Sequence, residues 1–209
     1  MIMPETREIT IYQFDELSDK AKEKAREWYR NGQLDYDWWE AVYDDADKIA
    51  SIIGIDIDRK DKNTPAIYFS GFSSQGDGAC FEGSYRYKKG WRKELAEYAP
   101  RIGTNADIWQ IAEALQAIQA RQFYKLEATC WQHGHYRHSG GMSVDVEHAD
   151  DRYRDIGDAE DEIRDQLRLF ADWIYGRLEQ EHDWLTSDEQ VDEAIRANEY
   201  EFLENGSLA

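Results

Sequence analysis

Apolar residues recur along the chain with two different periods, and the change from one to the other marks its elements. After a short alternating run, Ile9-Thr10-Ile11-Tyr12, the spacing of Leu17, Ala21, Ala25 and Trp28 predicts a helix with Ser18 as N-cap and Asn31-Gly32 as its stop. A second helix is predicted from about Asp37. There Trp39, Val42, Ala46, Ile49 and Ile53 follow at steps of three and four, and Gly54 takes the C-terminal cap. Between Ile55 and Tyr87 the period falls to two: Ile55 and Ile57 alternate with Asp56 and Asp58. The runs Ala66 to Phe72 and Cys80 to Tyr87 then predict a hairpin around the wide loop Ser73-Ser74-Gln75-Gly76-Asp77-Gly78. Helical spacing returns from Trp91 to Tyr98, ahead of Pro100, and again from Asn105 through Ile108, Ile111, Ala112, Leu115 and Ile118.

The cleanest alternation comes next. Tyr124, Leu126, Ala128 and Cys130 form one face, answered across the loop Gln132 to Gly141 by Met142, Val144, Val146 and His148; Lys125, Glu127, Thr129, Ser143, Asp145 and Glu147 form the wetted face. A long helix is predicted from about Asp158 to near Trp184, with Ile163, Leu167, Phe170, Ile174 and Leu178 inward. A last helix follows the capping box Thr186-Ser187-Asp188-Glu189 and carries Val191, Ala194, Ile195 and Phe202. Trp28, Trp39, Trp109 and Trp173 fall on apolar stripes and are assigned to the core, whereas Trp38 and Tyr43 lie off the stripe, on the side expected to face solvent. With three prolines and no repeat or linker, the pattern predicts one α+β domain over 1–209. Its form is an antiparallel sheet of about five to six strands with helices packed on one face, and residues 150–209 make a semi-independent, acidic helical lobe.

Composition narrows the function. Among 209 residues, 25 Lys and Arg stand against 44 Asp and Glu, a net charge of −19 that excludes a nucleic-acid backbone as direct partner and disfavours an acidic membrane surface. The 28 aromatics (8 Trp, 13 Tyr, 7 Phe) are core material that a disordered chain lacks. No basic flank followed by an apolar stretch opens the sequence and no apolar run reaches membrane length, so a cytoplasmic location is expected. Cys80 and Cys130 are too few for a disulfide framework and read as buried thiols.

Candidate chemistry is sparse. His133, His135 and His138 crowd one loop beside Cys130, ligand types that zinc accepts, but the alternation turns Cys130 inward and no paired C-x-x-C element is present; no metal or other cofactor is assigned. The loop Gln75-Gly76-Asp77-Gly78 lacks either phosphate-binding glycine pattern, and Asp77 between two glycines is kept as a partner contact. No nucleophile elbow occurs, so no catalytic residue is assigned and a binding role is favoured over an enzyme. The carboxylates have more reach. Asp37, Glu40, Asp44 and Asp47 recur at helical spacing, as do Asp158, Asp161, Glu162 and Asp165, and residues 150–209 hold 19 acidic against 6 basic side chains.

Three stretches carry a family resemblance: Phe14-Asp15-Glu16-Leu17-Ser18 leading to Ala21-Lys22-Glu23-Lys24-Ala25; Phe69-Ser70-Gly71-Phe72-Ser73-Ser74-Gln75-Gly76-Asp77-Gly78; and Leu185-Thr186-Ser187-Asp188-Glu189 continuing to Ile195-Arg196-Ala197-Asn198-Glu199-Tyr200. Over nearly the whole chain the sequence resembles a family of bacteriophage proteins often labelled "antitoxin of toxin-antitoxin stability system". The resemblance implies expression inside a bacterial host cell. The chain lacks the basic DNA-reading element that an operon-repressing antitoxin needs. Three readings follow. First is an acidic inhibitor that binds a basic, nucleic-acid-binding surface of a host protein by DNA mimicry, in the manner of an anti-CRISPR or anti-restriction factor. Neutralisation of a toxin by direct binding is second, and a metal-dependent enzyme using the histidine loop is third. The pattern leaves open whether the chain acts as monomer or homodimer.

Overall fold

In the computed structural model, which describes residues 8–101, 103 and 106–209, the chain is α+β with antiparallel sheets. A short strand β1 (Tyr12–Gln13) leads into a 3-10 turn closed by a capping box, in which the Gln13 amide donates to Glu16 Oε2 at 2.8 Å. Helix α1 (Asp19–Gly32) starts where Ser18 accepts the Ala21 amide. Helix α2 (Glu40–Ile53) ends at Gly54, whose φ of 95° is the left-handed conformation glycine adopts without steric cost. It begins at Glu40 rather than near Asp37, so Asp37 precedes the helix. Strands β2 (Ile55–Ile57), β3 (Ile67–Phe69), β4 (Ala79–Phe81) and β5 (Gly83–Arg86) follow. Then come α3 (Trp91–Tyr98), α4 (Ala106–Arg121), the hairpin β6 (Leu126–Gln132) and β7 (Met142–His148), α5 (Ala159–Leu185), α6 (Asp188–Ala197) and β8 (Glu201–Phe202). The helix start expected at Asn105 and the opening residues 1–7 lie outside the described residues.

The chain divides into two compact units, Trp39–Glu179 and Met1–Trp38 with Gln180–Ala209. The charge step at residue 150 does not coincide with this division. In the larger unit the main sheet has the order β2-β5-β6-β7, four strands rather than five or six, because β3 and β4 pair only with each other. The run Cys80 to Tyr87 is broken between the two ladders at Glu82, and Gly83 opens β5. There β5 approaches β2 so closely that a Cβ would stand 2.2 Å from the Asp56 carbonyl oxygen, which only glycine avoids. One face of the sheet is buried through Ile55, Ile57, Tyr85, Leu126, Ala128, Cys130, Met142, Val144 and Val146. The registers Ala128↔Val146 and Cys130↔Val144 match the predicted alternation. Ile163, Leu167, Phe170, Ile174 and Leu178 of α5 are wholly buried, each such side chain stabilising the fold by about 1.5–3 kcal/mol. Tyr124 does not extend β6: it takes φ of 61° and stays 45% exposed, its ring against Tyr87 at 4.4 Å. Tyr43 is buried, not solvent-facing, with its ring edge-on to Phe69.

The smaller unit joins the two ends of the sequence. Phe14, Leu17, Ala21 and Ala25 pack with Val191, Ile195 and Phe202, and Trp28, Tyr29 and Tyr200 close the cluster. Phe202 is therefore core as expected, but from β8 and not from the last helix: α6 stops at Asn198, Glu199 turns the chain at φ 53°, and Phe202 pairs with Tyr12. Arg26 spans α1 to α6 by a two-pronged bond to Asp192, 2.7 Å and 2.9 Å, and Arg196 reaches Asp15 at 2.8 Å. Two of the three stretches that carry the family resemblance thus meet in one core. Among the described residues, no helix is long and apolar enough to cross a membrane.

Candidate functional site

Helix geometry sets out the carboxylates, and their neighbours decide which of them are available. On α2, Glu40 and Asp44 are exposed one turn apart and form no ion pair among the described residues. Asp47, in the same row, is paired with Arg59 at 2.9 Å. Asp37 precedes α2 and belongs to the other compact unit. At the head of α5, Asp158 precedes the first turn and Asp165 follows two turns on, both exposed and without an internal cation among the described residues. Between them Asp161 is engaged by Arg164 and Glu162 by Arg121. Glu160, Asp161 and Glu162 in the first turn also meet the positive end of the helix dipole, which favours acidic side chains there without any partner.

The open face of the main sheet adds carboxylates that the pattern showed as wetted but did not mark as contacts. By register, Asp56, Ser84, Thr129 and Asp145 form one row across the four strands, and Arg86, Glu127 and Glu147 the next. Strands lie about 4.8 Å apart, so the acids of neighbouring strands are close enough to act on one partner. A shallow cleft of about 110 Å³ opens between these rows, with Arg152 at its edge 2.8 Å from Glu147.

The glycine loop and the histidine loop, which sequence spacing treats separately, are packed together. A Cβ on Gly78 would stand 2.5 Å from the His138 Cβ, so the close approach there requires glycine; Gly76 takes φ of 98°, the left-handed conformation that favours glycine, with the Tyr136 ring at an ordinary contact distance. Asp77 points back into its own loop, accepting the amides of Ser74 at 2.7 Å and Ser73 at 3.0 Å. Those bonds, the Ser74 amide foremost, hold its carboxyl below the usual range. Its role here is to shape the loop. Phe72 stacks between Phe69 and Tyr175, whose hydroxyl donates to the Gly71 carbonyl at 2.9 Å. Arg168 of α5 fastens the histidine loop through the carbonyls of Gly140 and Met142.

His133 takes the Trp131 indole N–H, His138 is wedged against Gly78 and Gly140, and His135 is exposed. Among the described residues, no group of three His, Cys, Asp or Glu side chains is placed to hold a metal ion. Cys130 and Cys80 are buried free thiols; burial pushes them up to about 12 and about 11. Sequence spacing did not signal the neighbourhood of Tyr68, where Lys60 Nζ sits 4.1 Å and the Arg137 guanidinium 4.6 Å from one ring centroid. Desolvation first, and Arg137 second, hold Lys60 below the ordinary lysine range.

Residues 38–188 match the family model described as Domain of unknown function (DUF8835), a span that contains the whole of the larger compact unit. No curated protein and no solved structure matches the chain.

Proposed function

The chain belongs to the DUF8835 family, and from that premise we propose that it is a binding protein whose exposed carboxylates occupy a basic surface on a nucleic-acid-acting protein of a bacterial host. The observation that carries this reading is a set of acids left without an internal cation on the family domain: Glu40 and Asp44 on α2, Asp158 just before α5 and Asp165 on it, with Asp56, Glu127 and Asp145 on the open sheet face. Asp47, Asp161 and Glu162 are spent on arginines of the same chain, and Asp77 on its own loop, so they drop out of the contact set. The whole chain remains strongly acidic at −19, which favours fast encounter with a basic partner and discourages acidic ones. The bacteriophage resemblance supports the same setting, a host cell whose nucleic-acid enzymes are worth blocking.

The test is capture from a bacterial host lysate on the immobilised full chain, with elution in steps of salt and identification by mass spectrometry. The reading expects basic nucleic-acid enzymes released between ~0.15 and ~0.5 M salt, where screening shortens to a few ångströms. A single small toxin as partner, or partners released only by denaturant, would contradict it.

A further inference from the structure

Between β7 and α5 the chain turns through Asp150 to Asp155, and the charged side chains of that turn are matched one by one, with a single exception. Lys125 Nζ lies 3.4 Å from Asp150, and Asp151 accepts the Tyr153 amide at 3.1 Å. Arg152 lies 2.8 Å from Glu147, and Asp155 accepts the Gly157 amide at 2.9 Å. Arg154 has no carboxylate among the described residues. Its guanidinium lies over the Phe123 ring at 6.0 Å, and its Nη1 stands 3.4 Å from Nε2 of His148.

His148 is 3% exposed, so its ring must find its hydrogen bonds inside the protein. Its Nδ1 receives the backbone N–H of Asp150 at 3.3 Å. A backbone amide only donates, so Nδ1 supplies the lone pair and the ring that keeps this bond is the neutral tautomer with its proton on Nε2. That proton faces Arg154, and a guanidinium has donors and no acceptor. Two sets of N–H groups are therefore aimed at one another across 3.4 Å, a pairing that an acceptor seated beside both nitrogens, off the line that joins them, would satisfy.

We propose that an oxyanion, phosphate or carboxylate in chemistry, binds beside the guanidinium of Arg154 and Nε2–H of His148, its oxygens off the line that joins the two nitrogens. Both donors suit it: guanidinium offers a planar pair of N–H groups to two oxygens, and the imidazole N–H adds a third from a buried, fixed ring. Phe123 supports the arrangement. It takes φ of 56°, unusual for a bulky side chain, and leaves its ring 71% exposed beneath the guanidinium, which limits where Arg154 can swing. The acids nearby are occupied as described and do not compete for Arg154. This site uses none of the carboxylates invoked for partner binding, so each reading can fail without the other.

The test uses the full chain and nitrogen-15 NMR of the imidazole and guanidinium groups, titrated in parallel with inorganic phosphate and with acetate. In the free protein, His148 is expected as the Nε2–H tautomer. Either anion should then shift the His148 Nε2 and Arg154 Nε resonances in a saturable way by ~10 mM, the range in which a millimolar site fills. Saturation by phosphate alone assigns a phosphate ligand, and saturation by acetate assigns a carboxylate. The exposed Arg154→Gln variant should weaken the response by about tenfold, the loss expected when a charge-assisted donor pair is removed. An Nδ1–H tautomer, resonances indifferent to both anions, or equal affinity in Arg154→Gln would overturn the site.

Discussion

Asp77 and Gly78 are neighbours that hold the central loop by different means, one by accepting hydrogen bonds and the other by lacking a side chain. Because the Ser74 and Ser73 amides lower the Asp77 pKa beneath its ordinary 3.8, the ionised form is favoured in the folded loop. That contribution is present above the unfolded value and is lost as pH falls through the lower, native one. The Ser73 and Ser74 amide resonances should therefore titrate with a midpoint below 3.8; a midpoint at or above it would contradict the assignment. Gly78→Ala should cost about 1–3 kcal/mol in urea unfolding, since the new methyl meets the Cα and Cβ of His138 and not the far end of a flexible chain. Individual residues were also where sequence patterning was least informative. Tyr43 lies off the apolar stripe of α2 yet is buried, because β3 brings Phe69 over that side of the helix. Tyr124 continues the alternation of β6 on paper, but the turn that links α4 to β6 needs positive φ at Phe123 and Tyr124, and periodicity carries no information about backbone handedness.

At the scale of elements, the sequence was most legible where one face is buried along its whole length. The β6–β7 hairpin, the stop of α2 at Gly54, the cap of α1 at Ser18 and the stripe of α5 all follow from spacing or from a single capping residue. Hydrogen exchange should accordingly find Ala128, Thr129 and Cys130 of the inner strand β6 and Asp145 of β7, whose amides face a neighbouring strand, among the slowest, and fast exchange there would break the assigned register. What spacing could not show was partnership. β3 and β4 read as strands like those of the main sheet, yet the chain passes from one ladder to the other at Glu82; β1 finds β8 at the far end of the sequence. The meeting of the two ends also rests on Arg26 and Asp192, whose side chains are only 18% and 16% exposed. Asp192→Ala removes the two-pronged bond while Glu23 and Asp188 stay 3.2 Å and 3.6 Å from the guanidinium, and a loss of about 1.5 to 3 kcal/mol is expected by chemical denaturation. An unchanged midpoint would show that the ionic bond does not secure α6 to α1.

For the whole molecule, charge is the property most plainly legible in sequence and the least resolved by it. The smaller unit holds 18 acidic against 7 basic residues and the larger 26 against 18, so acidity is denser in the unit formed by the two chain ends. Asp15, Glu23, Asp188 and Asp192 are paired there with Arg26, Arg30 and Arg196. Spacing marked rows of like charge on helices, but whether a carboxylate has an arginine beside it depends on tertiary neighbours such as Arg59 and Arg121, which lie outside the helices whose acids they meet. The account places partner binding on the family domain, and comparing two charge-reversed variants against the captured partner tests that most directly. One changes Glu40, Asp44, Asp158 and Asp165 to Lys; the other makes the same change at Glu27, Glu189, Glu193 and Glu199, exposed acids of the smaller unit. Both alter net charge equally, and exposed substitutions of this kind shift stability by about 0.5 kcal/mol or less each. The account predicts that the first variant loses affinity by about tenfold or more at ~0.15 M salt, while the second stays within about threefold of the unaltered chain. Equal loss in both, or no loss in the first, would contradict it.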